Sequence, residues 1–296
     1  VCQKTIDFFQ FVAPQLGTII AGGNATLGVG GTLGGPGHIY VSGRANIVNS
    51  SLPSVGQLDP STSGARSDQI PTQAQVAGIP QADVAIGLFR GFPIGVTNVG
   101  GIDLLGSVSY LPALNSSDFR IKTPNGSFKF GGGVRVGIVQ ESLIFPGISV
   151  TYLRRGLPTV DMTATNASGD SLRVNDANIT TDSYRLVASK SFLSLGLAAG
   201  VGQDRYNTSA NASGYVASRG LVGSGTAAAS VGPIAMSQKI SRTTYFVDAT
   251  LNLVIVRLIG EVGRTSAVNI PTYNSFIGSS AGAAQTFGAI GIRLGL

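Results

Sequence analysis

The residues of this chain able to do chemistry are mostly single charges: Arg44, Asp83, Asp103, Lys129, Arg135, Arg155, Arg185, Asp248, Arg257, Glu261 and Arg293. All but Arg155 are flanked on both sides by apolar residues or glycine. Isolated charges of both signs in such settings suit ion pairing and hydrogen bonding along a wet interior, and do not suit acid–base catalysis. The chain holds 1 His and 1 Cys, which excludes a His/Cys metal site. His38 stands near Pro36 with no serine or acid motif beside it and reads as a turn histidine. The glycines of GGPG (34–37) are turn glycines, because no Lys-Ser/Thr helix follows to make a phosphate cradle. Neither an enzyme nor a cofactor is expected.

The elements that position these charges alternate with a period of two. In SFKFGGGVRVGIVQ (127–140), Phe128, Phe130, Val134, Val136 and Ile138 form one set, and Lys129, Arg135 and glycines form the other. That is a strand with one apolar and one polar face. The same pattern recurs near 38–48, 83–90, 102–110, 148–155, 183–191, 195–206, 243–251, 254–264 and 286–296. A hairpin of a soluble β-sandwich would also alternate. Here, however, the polar face is rich in glycine and long basic side chains, as the wall of a wet lumen would be. Phe89 and Phe246 fall on the inward set, and Ile148, Val150, Val254, Val256, Ile290 and Ile292 on the outward set.

Composition supports the wall. Charged residues are 11% of 296, about half of the roughly 25% usual in soluble domains. The mean hydropathy is only +0.29, and no run approaches the roughly 18 apolar residues of a membrane helix. Low charge with 42 glycines leaves the β-barrel as the membrane architecture, with alternate side chains facing lipid. The net charge of +6 is spread thinly, with no basic cluster interleaved with aromatics, so nucleic acid is not an expected partner.

Connections alternate long and short: 49–81 long, 91–101 short, 111–126 longer, 141–147 short, 156–182 long, 191–194 short, 207–242 long, 252–253 minimal, 267–285 long. Membrane barrels have short periplasmic turns and long outer loops. The pattern predicts an all-β, closed, antiparallel up-and-down transmembrane barrel of ten strands, or twelve if 25–35 or 159–179 contribute. Residues 1–37 are expected to form a separate N-terminal segment and 38–296 the barrel. Within the first, residues 4–21 are the helix candidate, with Pro14 as a kink or restart. Phe8, Phe9, Phe11, Val12 and Leu16 need cover, which either a plug in the lumen or an interfacial helix provides. As a plug, residues 1–24 are expected at the periplasmic mouth. Residues 22–37 are too glycine-rich to place.

The segments GGIDLLGSVSYLP (100–112), GVRVGIVQES (133–142) and LAAGVGQDRY (197–206) resemble the glycine-punctuated strands of Gram-negative outer-membrane β-barrels. An apolar segment ahead of the barrel is similar to the plug of the long-chain fatty-acid channel family. The resemblance implies a bacterial outer-membrane location, lipid as surrounding partner, and passive passage of small solutes, hydrophobic ones among them. It carries over no ligand residue. The alternative is a closed structural barrel whose long outer loops bind a partner.

Overall fold

Extended backbone follows the alternating stretches closely. A computed structural model describes residues 2–54, 67–115, 119–166, 168–218, 227–253 and 255–295. One helix, α1 (Cys2–Ala21), precedes the strands β1 (Ile39–Pro53), β2 (Gln69–Phe89), β3 (Phe92–Ile94), β4 (Thr97–Val99), β5 (Ile102–Tyr110), β6 (Leu114–Asn115), β7 (Phe119–Lys122) and β8 (Phe128–Val139). They continue as β9 (Gly147–Gly156), β10 (Val160–Thr165), β11 (Ser171–Phe192), β12 (Leu195–Val216), β13 (Ala229–Asn252), β14 (Val256–Thr265), β15 (Ser275–Ile277) and β16 (Gln285–Gly295).

The ring runs β1, β2, β5, β8, β9, β11, β12, β13, β14, β16 and closes where β16 pairs with β1, Tyr40 opposite Gly295 and Val48 opposite Phe287. These are the ten strands the alternation marks, all antiparallel and joined in sequence. Of the two stretches that could have added strands, 25–35 contains none. The other, 159–179, supplies β10 and the outer part of β11, which do not enlarge the ring.

The outer face is apolar. Phe128, Phe130, Val134, Val136, Val150, Ile290 and Ile292 are exposed, while Ile148 and Val256 are half-buried. Val254, read from the sequence as outward, lies outside the described residues. Aromatic side chains bound this band at both rims. Tyr110 stacks near Phe128 at 5.0 Å and Tyr152 near Tyr184 at 5.2 Å on the long-loop side, with Tyr245 exposed beside them. Phe92, Phe145 and Phe192 are exposed among the short turns. Two aromatic girdles around an apolar belt are the signature of a membrane-spanning barrel. The stretch from Tyr184 to Phe192 matches the roughly 9–11 residues a tilted strand needs to cross.

Much of what reads as long loop in the sequence is strand. β1 continues to Pro53 and β2 begins at Gln69, while β11, β12 and β13 run on well past the tyrosine girdle. Their outer parts are polar or small-residue versions of the same ladder, Asn211 opposite Asn175 and Ala235. The alternation there is of Ser, Thr, Asn and Ala rather than of apolar with charged, because no lipid selects an apolar outer face. The wall therefore projects beyond the membrane as a collar.

α1 sits inside that collar and runs unbroken through Pro14. It is apolar on most sides because it is enclosed on most sides. Phe9 and Ala13 pack on Val160, Met162, Val174, Ala177 and Ala210. Phe11 and Val12 meet Ala281, with Phe8, Leu16, Leu52 and Phe276 against them. Asp7, near the helix start, accepts bonds from Asn274 N at 2.7 Å and Tyr273 N at 3.2 Å, in the connection between β14 and β16. The helix ends at Gly22, whose φ of +61° and bond from its N to Thr18 O at 3.0 Å make the usual left-handed cap.

The start of the chain therefore lies on the long-loop side, not at the periplasmic mouth where residues 1–24 are expected as a plug. That expectation requires the N-terminal segment to stay on the side from which β1 rises. Instead residues 22–37 run the length of the lumen between α1 and β1.

Candidate functional site

The site is the membrane-spanning lumen and the segment threaded through it. The inward set of each strand supplies the wall, and residues 22–37 supply the occupant. Three arginines converge on the end of α1, where four carbonyls lack helical partners and the helix dipole is negative. Arg155 Nη1 donates to Ala21 O at 2.9 Å. Arg185 donates from Nη2 to Gly22 O at 2.9 Å and from Nε to Gly23 O at 2.6 Å. Arg44 Nη1 reaches Asn24 O at 2.7 Å. Asn46 and Gln81 complete the cap, donating to Ile19 O at 2.9 Å and Ile20 O at 3.1 Å.

The acids take the segment's N–H groups. Glu261 accepts from Gly23 N at 3.0 Å and Asn24 N at 2.6 Å. Asp248 accepts from Asn24 Nδ2 at 2.6 Å and Gly28 N at 2.9 Å. Asp248 and Glu261 stand directly opposite each other on β13 and β14. Like charges so placed repel, and the donors of residues 23–28 offset that repulsion. Asp103 accepts from Leu33 N at 3.1 and 3.2 Å. Lower still, Thr32 and Gln140 exchange two bonds of 2.6 Å, tying the segment to the connection between β8 and β9.

The wall charges also pair among themselves. Asp83 bridges Arg44 at 3.0 Å and Arg155 at 2.7 Å. Arg135 meets its cross-strand neighbour Asp103 at 2.6 Å and also donates to Thr26 Oγ1. Arg185 pairs with Asp204 at 2.7 Å. All these side chains are buried, so each needs its ion partner, and the arginines and Asp103 also bond to the segment.

Of the residues expected to line the lumen, Arg44, Asp83, Asp103, Arg135, Arg155, Arg185, Asp248, Glu261 and Arg293 come together in this network. Two stand apart. Lys129 is half-buried at the outer end of β8 and gives the segment no bond, and Arg257 is exposed at the short-turn mouth. Phe246 is buried at 3% exposure, whereas Phe89 is exposed and stacks edge-on with Phe92 at 5.3 Å. A register shift between Gly87 and Phe89 turns it out of the inward set. His38 is exposed, its Nδ1 3.2 Å from Gly35 O.

Sequence reasoning missed Asp204, Arg242, Tyr206 and Asn24, all buried here. Asp204 and Tyr206 continue the inward set of Gly196, Ala198, Gly200 and Gly202, so parity could have found them. Arg242 sits where the chain looks like a loop, and Asn24 lies among glycines.

No protein-family model matches the sequence, and no curated protein matches it. Among solved structures, the toluene transporter TodX of Pseudomonas putida is similar at 9% identity, over 92% of this chain and 97% of that one, with a TM-score of 0.33. The outer-membrane channel DcaP of Acinetobacter baumannii is similar at 10% identity over 90% and 100%, with a TM-score of 0.20. Outer-membrane OmpT of Vibrio cholerae is similar at 7% identity over 88% and 97%, with a TM-score of 0.17. Scores this low carry no argument about what passes through or binds this chain.

Proposed function

We propose that this barrel is a plugged channel of the bacterial outer membrane, passing small solutes, hydrophobic ones among them, when residues 22–37 shift aside within the lumen. The observation that carries the reading is spare hydrogen-bonding capacity in the wall beneath the plug. Ser107 Oγ, Ser149 Oγ and Thr250 Oγ1 are buried without hydrogen-bond partners among the described residues. Buried polar groups are rarely left so, and a wall meant only to be filled would carry apolar side chains there. With the plug displaced, these groups would line a wet passage. The apolar collar around Phe9, Val160, Met162 and Val174 would receive hydrophobic molecules on the long-loop side.

The second reading, a closed barrel whose collar binds a partner, draws on the density of bonds that fasten the plug. Planar-bilayer conductance separates the two. Wild-type protein is expected to conduct little, and deletion of residues 1–24 to raise conductance, because it removes α1 and the carbonyls of Ala21, Gly22 and Gly23 that Arg155 and Arg185 hold. A deletion variant that keeps its folded, heat-modifiable gel mobility yet conducts no more than wild type would favour the closed barrel.

A further inference from the structure

At the short-turn mouth, two arginines face each other across adjacent strands, Arg257 on β14 and Arg293 on β16. They flank a cavity of about 530 Å³ whose other polar lining is Ser191 and Asn252, with Leu253 and Ile255 at its edge. Arg293 is 4% exposed. Its Nη1 donates to Leu27 O at 3.2 Å, and its guanidinium lies 5.5 Å over the Tyr40 ring. Its Nε has no partner. Arg257 has no acid or hydrogen-bond partner among the described residues, and the nearest lumen acids, Asp248 and Glu261, are bonded to the plug.

Directly opposed like charges destabilise a strand pair, and a buried guanidinium N–H without an acceptor adds to the cost. The repulsion is relieved by an anion with several acceptor oxygens seated between the two forks, the geometry in which arginine holds phosphate best. We propose that this mouth cavity binds a phosphate-class oxyanion between the guanidinium groups of Arg257 and Arg293, both of which line it. Its source is either a free ion or the headgroup of a lipid at the adjoining membrane surface, towards which Leu253 and Ile255 are exposed.

The test uses the full chain folded in an uncharged detergent, titrated calorimetrically with inorganic phosphate and separately with dihexanoyl-phosphatidylglycerol. Saturable binding of at least one probe is expected. Free phosphate binding assigns a soluble ion, and binding of the lipid alone assigns a headgroup. Arg257→Gln, at an exposed position outside the plug contacts, should weaken binding tenfold or more, and Arg257→Lys should restore part of it. Wild-type protein that binds neither probe, or an Arg257→Gln variant that binds as wild type does, would overturn the proposal.

Discussion

Neighbouring residues on β8 illustrate how differently the two faces of one strand are constrained. Val136 faces lipid and Arg135 is fully buried. Val136→Arg places a cation in hydrocarbon and is expected to cost about 2–4 kcal/mol towards the bilayer midplane, less nearer the rim. From the sequence alone, Arg135→Ser looks harmless, since a polar side chain would still face a polar lumen. In the structure it removes the ion partner of the buried Asp103, which holds Arg135 through bonds of 2.9 and 2.6 Å and then keeps only Leu33 N. Breaking a buried pair by removing one partner costs about 3–5 kcal/mol. Equilibrium urea unfolding in vesicles should therefore find both variants destabilised. A shift for Arg135→Ser of only a few tenths of a kcal/mol would contradict the network. Parity in the sequence told which way these side chains point. It could not tell what they bond, because Arg135 reaches Thr26 Oγ1 and Asp103 accepts from Leu33 N, both in a glycine-rich stretch with no pattern of its own. Phe89 shows the other limit, since a single bulge reverses parity and leaves no mark in the residue types.

At the scale of elements, the division of labour between α1 and residues 22–37 is the main departure from what the sequence suggests. The helix was legible from its apolar residues, and its enclosure follows from them. Its position, with only the last turn at Ile19 and Ile20 reaching into the membrane belt, was not, because the collar that houses the rest is made of strands that look like loops. The glycine-rich segment is what fills the spanning lumen, and its composition has a steric reason. A Cβ on Gly30 would come 2.5 Å from Ser189 N and 2.6 Å from the Ala188 carbonyl carbon, both backbone atoms of the wall. Gly30→Leu should therefore push the segment off β11 while the ring stays closed, and break the bond from Gly30 N to Ser189 Oγ. Single-channel recording should then show larger or more frequent openings than wild type. Silent traces from a variant that still migrates as folded barrel would mean the segment re-seats without opening a path.

For the whole molecule, the ring of ten strands and the alternation of connections were readable from the sequence, because lipid outside and water inside sort side chains residue by residue. Which side holds the chain's start was not, since nothing in the residues of α1 says which mouth it enters. The structure puts Lys4 against Asp68, at 2.5 Å, in the connection between β1 and β2. On intact cells lacking Cys2, a membrane-impermeant maleimide should label Gln3→Cys and leave Leu143→Cys, in the connection between β8 and β9, untouched. Labelling of Leu143→Cys from outside would invert the topology. The same placement constrains the order of assembly. Most of helix α1 stands beyond the outer rim, residue 38 stands at the inner one, and the leash between them lies within the ring that β1 and β16 seal. A helix about 10–12 Å across has no way past its own leash once that seam is sewn, so it has to be carried over before the first strand meets the last. Drawing the helix back through the ring later means unpicking the seam from Tyr40–Gly295 to Val48–Phe287. Retention of the helix on the outer side is thus a matter of rate, set by the barrier to reopening the seam, more than of how tightly the helix is bound there.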